Sequence, residues 1–461
     1  MISVEKRRAA WLVATCYFME MLDGTIIVTA APRLQAALGV HSSAIGLLMA
    51  AYFIVIAIFI PLGGWLEARI SARTLFVVSI TIFTLASLIS GASESFWQLL
   101  GARIVQGIGA ALMVPVGRTI VLEDTAKADL MRLLSYVIWP GLVAPVVAPF
   151  LGGLMVTYVN WRWLFWINVP VGVVAAAAAM MVVDLRGRRS SKKPLDVWGM
   201  VVTSIGLGSV LWSAYVAGQP RGSWSEAGGL AFVGVVALSE AWRHLHRSVD
   251  PYVELGVLKV RSLRSALGGM GLFVFVVGSL PLLLALLFQL SFGWSALRSG
   301  TVIAGIFVGN LGMKPATGTV LRRFTHRSVL IASTSTVVVS VMGFALVNRS
   351  TPLALIMLLA TISGAARSMG FTAYFTLFYA DVPEPLMSAA TTVTATVQQL
   401  SSGLALSGSV LALRFGTLIG NAGMMPSSGG YRDAFFLLGG VGVLTTVLAR
   451  PIERDAGKSL R

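Results

Sequence analysis

The stretch WLVATCYFMEMLDGTIIVTAA, residues 11–31, sets the fold class. It is long enough to cross a bilayer core of roughly 30 Å as a helix, yet it carries two acids, Glu20 and Asp23, in its middle. A charge at the bilayer centre costs about 2.5–3.5 kcal/mol on insertion scales, so such residues require a polar interior or a partner. Spaced three apart, the acids share one helical face, which is expected to line a central cavity. Lys6, Arg7 and Arg8 before the run and Thr29, Ala30 and Ala31 at its end imitate a secretion signal, but the acids mark a retained span.

The rest of the chain repeats this pattern. Its 461 residues are 56% hydrophobic and 12% charged, with a mean hydropathy of +0.83, whereas soluble domains are roughly 25% charged. Apolar windows fall at about 11–31, 44–66, 74–93, 98–121, 133–158, 163–183, 198–218, 227–243, 264–289, 297–320, 328–347, 352–379, 388–415 and 433–450. Only helices cross lipid in windows of this length. The expectation is an all-α polytopic membrane protein with about fourteen transmembrane helices.

The formal net charge of +16 suggests nucleic acid at first sight. Most of the 35 Lys and Arg residues, however, fall in loops on the side shared with the N-terminus, which the positive-inside rule reads as two cytoplasmic termini. The densest run, Arg186, Arg188, Arg189, Lys192 and Lys193, lacks the aromatic interleaving of a nucleic-acid surface. Contact with anionic membrane lipids is compatible with it. The single cysteine, Cys16, excludes an internal disulfide.

An internal echo points to two halves. Gly64 and then Arg69-Ile70-Ser71-Ala72-Arg73-Thr74-Leu75 follow the second span, and Gly318 and then Arg323-Phe324-Thr325-His326-Arg327-Ser328-Val329 follow the tenth. Duplicated halves with a binding site between them are a common plan of secondary transporters. The expected divisions are an N-terminal six-helix half at 1–183, two inserted helices with cytoplasmic linkers at 184–263, and a C-terminal six-helix half with a tail at 264–461.

Several motifs add to this plan. They are Leu22-Asp23-Gly24-Thr25-Ile26 and Pro32; Gly64-Trp65-Leu66 with Arg69 and Arg73; Arg103, Gln106, Gly107 and Gly109; Pro145, Pro149, Gly152 and Gly153; and Trp161-Arg162-Trp163 leading to Phe165, Asn168, Pro170 and Gly172. In order and spacing they resemble the major facilitator superfamily, and within it the fourteen-span drug:proton antiporters. The resemblance implies a major facilitator fold of two six-helix halves plus two inserted helices, acting by alternating access as a monomer in a bacterial inner membrane. It also implies a small-molecule substrate, protons as coupling ion, and no cofactor beyond the proton gradient. Gly64, Arg69, Arg73, Pro145, Pro149, Gly152 and Gly153 would then serve conformational gating. The chain departs from the family pattern at Ala68 and Ser71, where an Asp and a Gly are usual, at Ala144 and Ala148, which replace two glycines of the antiporter motif, and at Val28, where Asn is common.

Six charged residues are expected inside spans: Glu20, Asp23, Arg103, Arg118, Lys314 and Arg367. Asp23 matches the family's first-span acid and is the expected proton site, with Arg103 sensing its protonation and Glu20 as a second proton site or a substrate contact. A static Asp23–Arg103 ion pair is the competing reading. Arg118 either faces inward or snorkels to an interface. Lys314 and Arg367, in a half without embedded acids, either snorkel or face the cavity and favour a carboxylate, phosphate or electron-rich ring. Gln398, Gln399, Thr394 and Ser401 form a polar stripe, and Trp139, Tyr136 and Phe371 are candidates to stack on a flat substrate. The four histidines fall in loops or at span ends without a metal-ligand cluster, so no catalytic or metal site is expected. Two transport readings stay open: an exporter of drugs or other small amphipathic or aromatic compounds, and a dedicated carrier of one metabolite, vitamin or lipid.

Overall fold

The structure is a computed structural model that describes residues 4–67, 69–122, 127–183, 194–383, 386–419 and 428–450. Among them every regular element is helical. The first group comprises α1 (Val4–Leu38), α2 (Ser42–Glu67), α3 (Ala72–Ala92), α4 (Phe96–Leu122), α5 (Lys127–Tyr158), the single turn α6 (Trp163–Trp166) and α7 (Asn168–Val182). Then come α8 (Val197–Gly218) and α9 (Trp224–Arg247). The last group is α10 (Arg261–Leu286), α11 (Ala296–Arg323), α12 (His326–Ala345), α13 (Leu353–Ala380), α14 (Met387–Ile419) and α15 (Ser428–Ala449). With α6 and α7 taken as one broken crossing, fourteen helices traverse the bundle.

Twelve of these crossings are long and apolar enough to span a membrane by composition alone. The two others are α9, whose last turns carry Glu240, Arg243, His244, His246 and Arg247, and α14, which carries Gln398, Gln399 and a series of Ser and Thr residues. The polar stripe of α14 is partly buried within the bundle, whereas Glu240, Arg243, His246 and Arg247 stay exposed at the end of α9 and His244 bonds Asp196. The protein is a multi-pass membrane protein. The basic run at 186–193 and Ala68 lie outside the described residues.

The internal echo has a structural counterpart. Ser71 caps the start of α3 by accepting a hydrogen bond from the Thr74 amide at 3.2 Å, and Thr325 caps α12 by accepting one from Ser328 at 3.1 Å. In each case the two hydroxyls also meet, at 2.8 Å and 2.7 Å respectively. An N-cap hydroxyl satisfies an amide that the first turn leaves without a partner. The two copies therefore start equivalent helices by the same device.

The helices α8 and α9 pack tightly on each other, since a Cβ on Gly206 would lie 2.7 Å from Leu238 Cγ. The pair docks on the outside of the seam between α2 and α14. Trp212 of α8 stacks on Trp97 with ring centroids 5.9 Å apart, and Arg414 of α14 donates to the carbonyls of Ala217 and Gly222 while lying 4.3 Å above the Trp224 ring. At the other end of α8, the Asp196 carboxylate accepts from the Gly199 amide at 2.8 Å, from the Tyr252 amide at 3.0 Å, and bonds His244 at 2.7 Å. It caps α8 and fastens the following linker. Burial alone would raise its carboxyl pKa, but the Gly199 and Tyr252 amides and His244 outweigh that and hold it below the ordinary value.

Asp196→Ala is expected to cost about 1 kcal/mol, the usual worth of a side-chain cap, seen as a lower unfolding temperature in detergent. A carboxyl held below its unfolded value stabilises at higher pH and loses that contribution as pH falls through its folded value. The gap between wild type and variant should therefore be constant near neutrality and close as pH falls below the ordinary aspartate range.

Candidate functional site

Asp23 and Arg103 meet inside the N-terminal half. Arg103 Nη1 lies 2.5 Å from Asp23 Oδ2 and 2.6 Å from Gln106 Oε1. Gln106 Nε2 and Asn168 Nδ2 each donate to Asp23 Oδ1 at 2.9 Å. Asn168 also reaches Ser87 Oγ at 3.2 Å, and Ser87 donates to the Phe165 carbonyl at 2.8 Å. The guanidinium rests 4.0 Å above the Tyr52 ring. Six side chains from α1, α2, α3, α4 and α7 thus form one network, in which Asp23 is 0% exposed and Arg103 1%. Asp23 does not line an open cavity as its helical face suggested. Both its oxygens are occupied by donors from other helices, which closes protein around it.

Glu20 is different. It is 5% exposed, its Oε2 is enclosed without a hydrogen-bond partner, and it makes no ion pair among the described residues. Arg118 and Asp23 both act on it electrostatically. Arg118 points inward, with its guanidinium 5.3 Å from the Tyr17 ring, so the aromatic side chain holds it rather than an interface. Tyr17 in turn packs against Gly141 of α5, where a Cβ would come within 2.1 Å of its ring. The Tyr52 hydroxyl, also buried and without a partner, lies in the field of Glu20, Asp23 and Arg103.

The C-terminal half presents cations instead. Lys314 of α11 reaches Thr372 of α13 at 3.4 Å. Arg367 of α13 lies 5.3 Å from the Phe307 ring and 5.5 Å from the Phe371 ring, and its Nε is buried without a hydrogen-bond partner. The structure thereby brings Lys314, Arg367 and Phe371 together. Phe371 packs edge-on to Phe273 at 5.5 Å and stacks with Phe375 at 6.2 Å. Trp139 is 49% exposed on α5 and has no aromatic partner among the described residues, so it does not join this wall. Gln398 and Gln399 are partly exposed on α14, without a hydrogen bond to either cation. Tyr136 belongs to α5, and its side chain lies outside the described residues.

The two halves touch closely at the end opposite the chain termini. Gly152 and Gly153 face different neighbours of α5: a Cβ on Gly152 would stand 2.6 Å from the Ile26 carbonyl of α1, and one on Gly153 2.7 Å from Leu297 Cα of α11. A Cβ on Gly300 would stand 2.2 Å from the Pro149 carbonyl. Gln289 adds a 2.8 Å hydrogen bond to the Thr29 carbonyl. Along the other seam, Gly46 of α2 faces Leu406 and Ser407, and Gly403 of α14 faces Ala50 and Ile54. Ala144 and Ala148 are fully buried. Pro145 lies on α5 between them, half-buried. Of the other gating candidates, Arg69 folds back over Trp65 with its guanidinium 3.9 Å from the ring, Arg73 donates to the Met180 carbonyl of α7, and Gly64 is part of α2. An apolar groove of about 480 Å³ lies between α11, α12 and α13 beside the exposed Ile362. It is lined by Met313 and Ala366, the sequence neighbours of Lys314 and Arg367, but by neither cation.

Sequence reasoning missed Tyr52 and Ser87, which carry no local signal within apolar helices. Gln106 and Asn168 stood in the quoted motifs, but only the fold shows both aimed at Asp23.

Comparison with known proteins agrees with this architecture. The family model described as Major Facilitator Superfamily matches residues 13–406. A protein of Serratia proteamaculans (strain 568) named "Putative multidrug resistance protein MdtD" is 32% identical over 398 residues, covering 86% of this chain and 83% of its own. One of the same name from Escherichia fergusonii is 33% identical over 411 residues, covering 87% and 86%. Among solved structures, the partially occluded inward open conformation of the xylose transporter XylE from E. coli superposes with a TM-score of 0.64 at 13% identity, covering 96% of this chain and 97% of that one.

Two substitutions probe these contacts. Arg103→Ala should destabilise the detergent-solubilised protein by about 3–5 kcal/mol, because it leaves a buried carboxylate without its counter-charge; thermal unfolding reads this. Gly300→Leu should keep the seam from closing, since its side chain would enter the space of the Pro149 carbonyl. In a Cys16→Ser background, a cysteine introduced at Thr29 should then react faster with a membrane-impermeant maleimide added on the side opposite the termini.

Proposed function

Because the chain belongs to the Major Facilitator Superfamily and is a transporter, we propose that it exports small amphipathic or aromatic compounds across a bacterial inner membrane in exchange for protons. The observation that carries this reading is the Glu20 carboxyl, buried without a hydrogen-bond partner beside the Asp23–Arg103 pair, in which both carboxylate oxygens of Asp23 are bonded. Export and a broad substrate range rest on the names of the relatives.

The division of labour between the acids differs from the expectation. Asp23 would have to give up bonds to Arg103, Gln106 or Asn168 before exchanging a proton, so we place proton exchange on Glu20 and the response on Asp23 and Arg103. A charged Glu20 sets two negative charges on α1 against Arg103 and Arg118; a proton on Glu20 leaves one. That change alters how firmly α1 is held to α4 and α7. Nine residues further along, or roughly 14 Å at the helical rise, Thr29 of the same helix lies against Gly152, Gly300 and Gln289 at the seam. The protonation state of Glu20 is thereby linked to the gate through one rigid element, and a proton that binds the two facing states unequally shifts their populations.

The bias of basic residues supports a cytoplasmic location for both termini. The closed end then faces outward and the Lys314–Arg367 cluster opens inward, the state in which an exporter loads. Both clusters are built from one chain, consistent with a monomer. The two halves of the fold rock about the site, with boundaries near 183 and 263, and α8 and α9 ride on their seam.

Purified protein in liposomes with an imposed pH gradient tests the coupling. Wild type should accumulate members of a labelled compound panel only while the gradient stands, and Glu20→Gln should lower that accumulation about tenfold, a coupling free energy of typical size, while still exchanging substrate down its own gradient. Wild-type transport that ignores a protonophore, or a Glu20→Gln variant that accumulates like wild type, would overturn the proposal.

A further inference from the structure

We propose that the central site selects anionic aromatic compounds, with the carboxylate, sulfonate or phosphate of the substrate held between Lys314 and Arg367 and its ring against Phe371. This rests on the transport reading above and narrows its substrate class.

Four observations support it. First, the two cations act on each other electrostatically and pair with no acid among the described residues. From residue 264 onward the described acids are Asp381, exposed at the end of α13, and Asp433, which pairs with Arg432 on α15. Like charges close together in a low-dielectric interior repel, so an anion bound between them relieves an existing cost. Second, Arg367 has little else to do. It makes no hydrogen bond or ion pair among the described residues; its Nε is enclosed while the residue as a whole stays partly exposed, so the forked end is free to bond a ligand. A guanidinium fork matches carboxylate, sulfonate and phosphate oxygens in pairs.

Third, the outer face of α13 carries the exposed Leu355, Leu358 and Ile362. Arg367 and Phe371 follow Ile362 by five and nine positions, roughly 140° and 180° around the helix at 3.6 residues per turn. They face inward, which removes snorkelling to lipid as the reason for the charge. Fourth, the rings of Phe307 and Phe371 lie 5.3 and 5.5 Å from the guanidinium, and Phe273 and Phe375 pack on Phe371 behind it. Such a wall accepts a flat ring beside the anion. The acids Glu20 and Asp23 lie in the other half, so an anion is drawn to one side of the site and kept from the other.

The test uses matched probes that differ only in charge: radiolabelled 2-naphthoate and 2-naphthalenesulfonate, neutral 2-naphthamide and cationic 2-naphthylmethylammonium, bound to the purified full chain in detergent. The anions should bind about tenfold more tightly than the amide, a ratio equivalent to about 1.4 kcal/mol, and the ammonium more weakly than the amide. In Lys314→Gln/Arg367→Gln the anion and amide should bind alike, with the amide unchanged. Arg367→Lys should recover part of the preference, which a merely structural role for Arg367 would not produce. Thermal unfolding of each variant, and its affinity for the amide, separate loss of the site from loss of the fold. No preference for the anions in wild type, a preference for the ammonium, or an anion preference that survives in the double variant would each overturn the assignment. Anion-selective binding without gradient-driven transport would instead remove the coupling reading and leave this site standing.

Discussion

The structure depends on a single electrostatic constraint, the burial of Asp23 and Arg103 in a part of the molecule where neither can be hydrated. Taking both charges out of water costs several kcal/mol for each ion, and their attraction offsets this only if the remaining polar atoms are also matched. Gln106 and Asn168 match Asp23 Oδ1, and the Tyr52 ring covers the guanidinium. The requirement fixes the relative positions of α1, α2, α4 and α7 more tightly than apolar packing would, because apolar side chains tolerate sliding and this network does not. An ordinary apolar cluster would give comparable stability. A charged one responds to the charge beside it, and Glu20 lies there.

The site is asymmetric. The N-terminal half contributes one acid, Asp23, already committed to Arg103 and two amides, and a second, Glu20, that is not; the C-terminal half contributes the cations Lys314 and Arg367 without an acid partner among the described residues. In the proposed mechanism, proton exchange and substrate recognition fall on opposite walls. Both walls connect to the same closed seam, through Thr29 on α1 and Gly300 on α11, so either can bias it. Coupling in this arrangement needs no direct contact between proton site and substrate, only two sites with different affinities for the two facing states.

Much of this was legible in the sequence because the bilayer punishes charge so heavily. Six embedded charges stand out among long apolar runs, and hydropathy placed the crossings, including α9, whose polar end weakened the signal. The outer members of the Asp23 network were harder to see, since Tyr52 and Ser87 are common inside helices and acquire a role only when α2 brings one against Arg103 and α3 brings the other against Asn168. The roles of the two acids were also hidden. Spacing put Glu20 and Asp23 on one face, but it could not show that donors from other helices would occupy one carboxylate and leave the other's enclosed oxygen unmatched. The closed end was beyond reach for a different reason: the same sequence must support two packings, and local patterns are common to both.

Gly152, Gly153 and Gly300 bring backbone against backbone at the closed seam, and this bears on how such a protein can change over generations. Where no side chain exists, the smallest available step is a whole methyl group, and here that step already collides with a main-chain atom that cannot turn aside. Variation at the seam is therefore all or nothing. The phenylalanines around Arg367 can be trimmed, widened or made polar in small increments. If those rings hold the substrate as proposed, descendants of this chain can drift in what they carry while the seam stays the same.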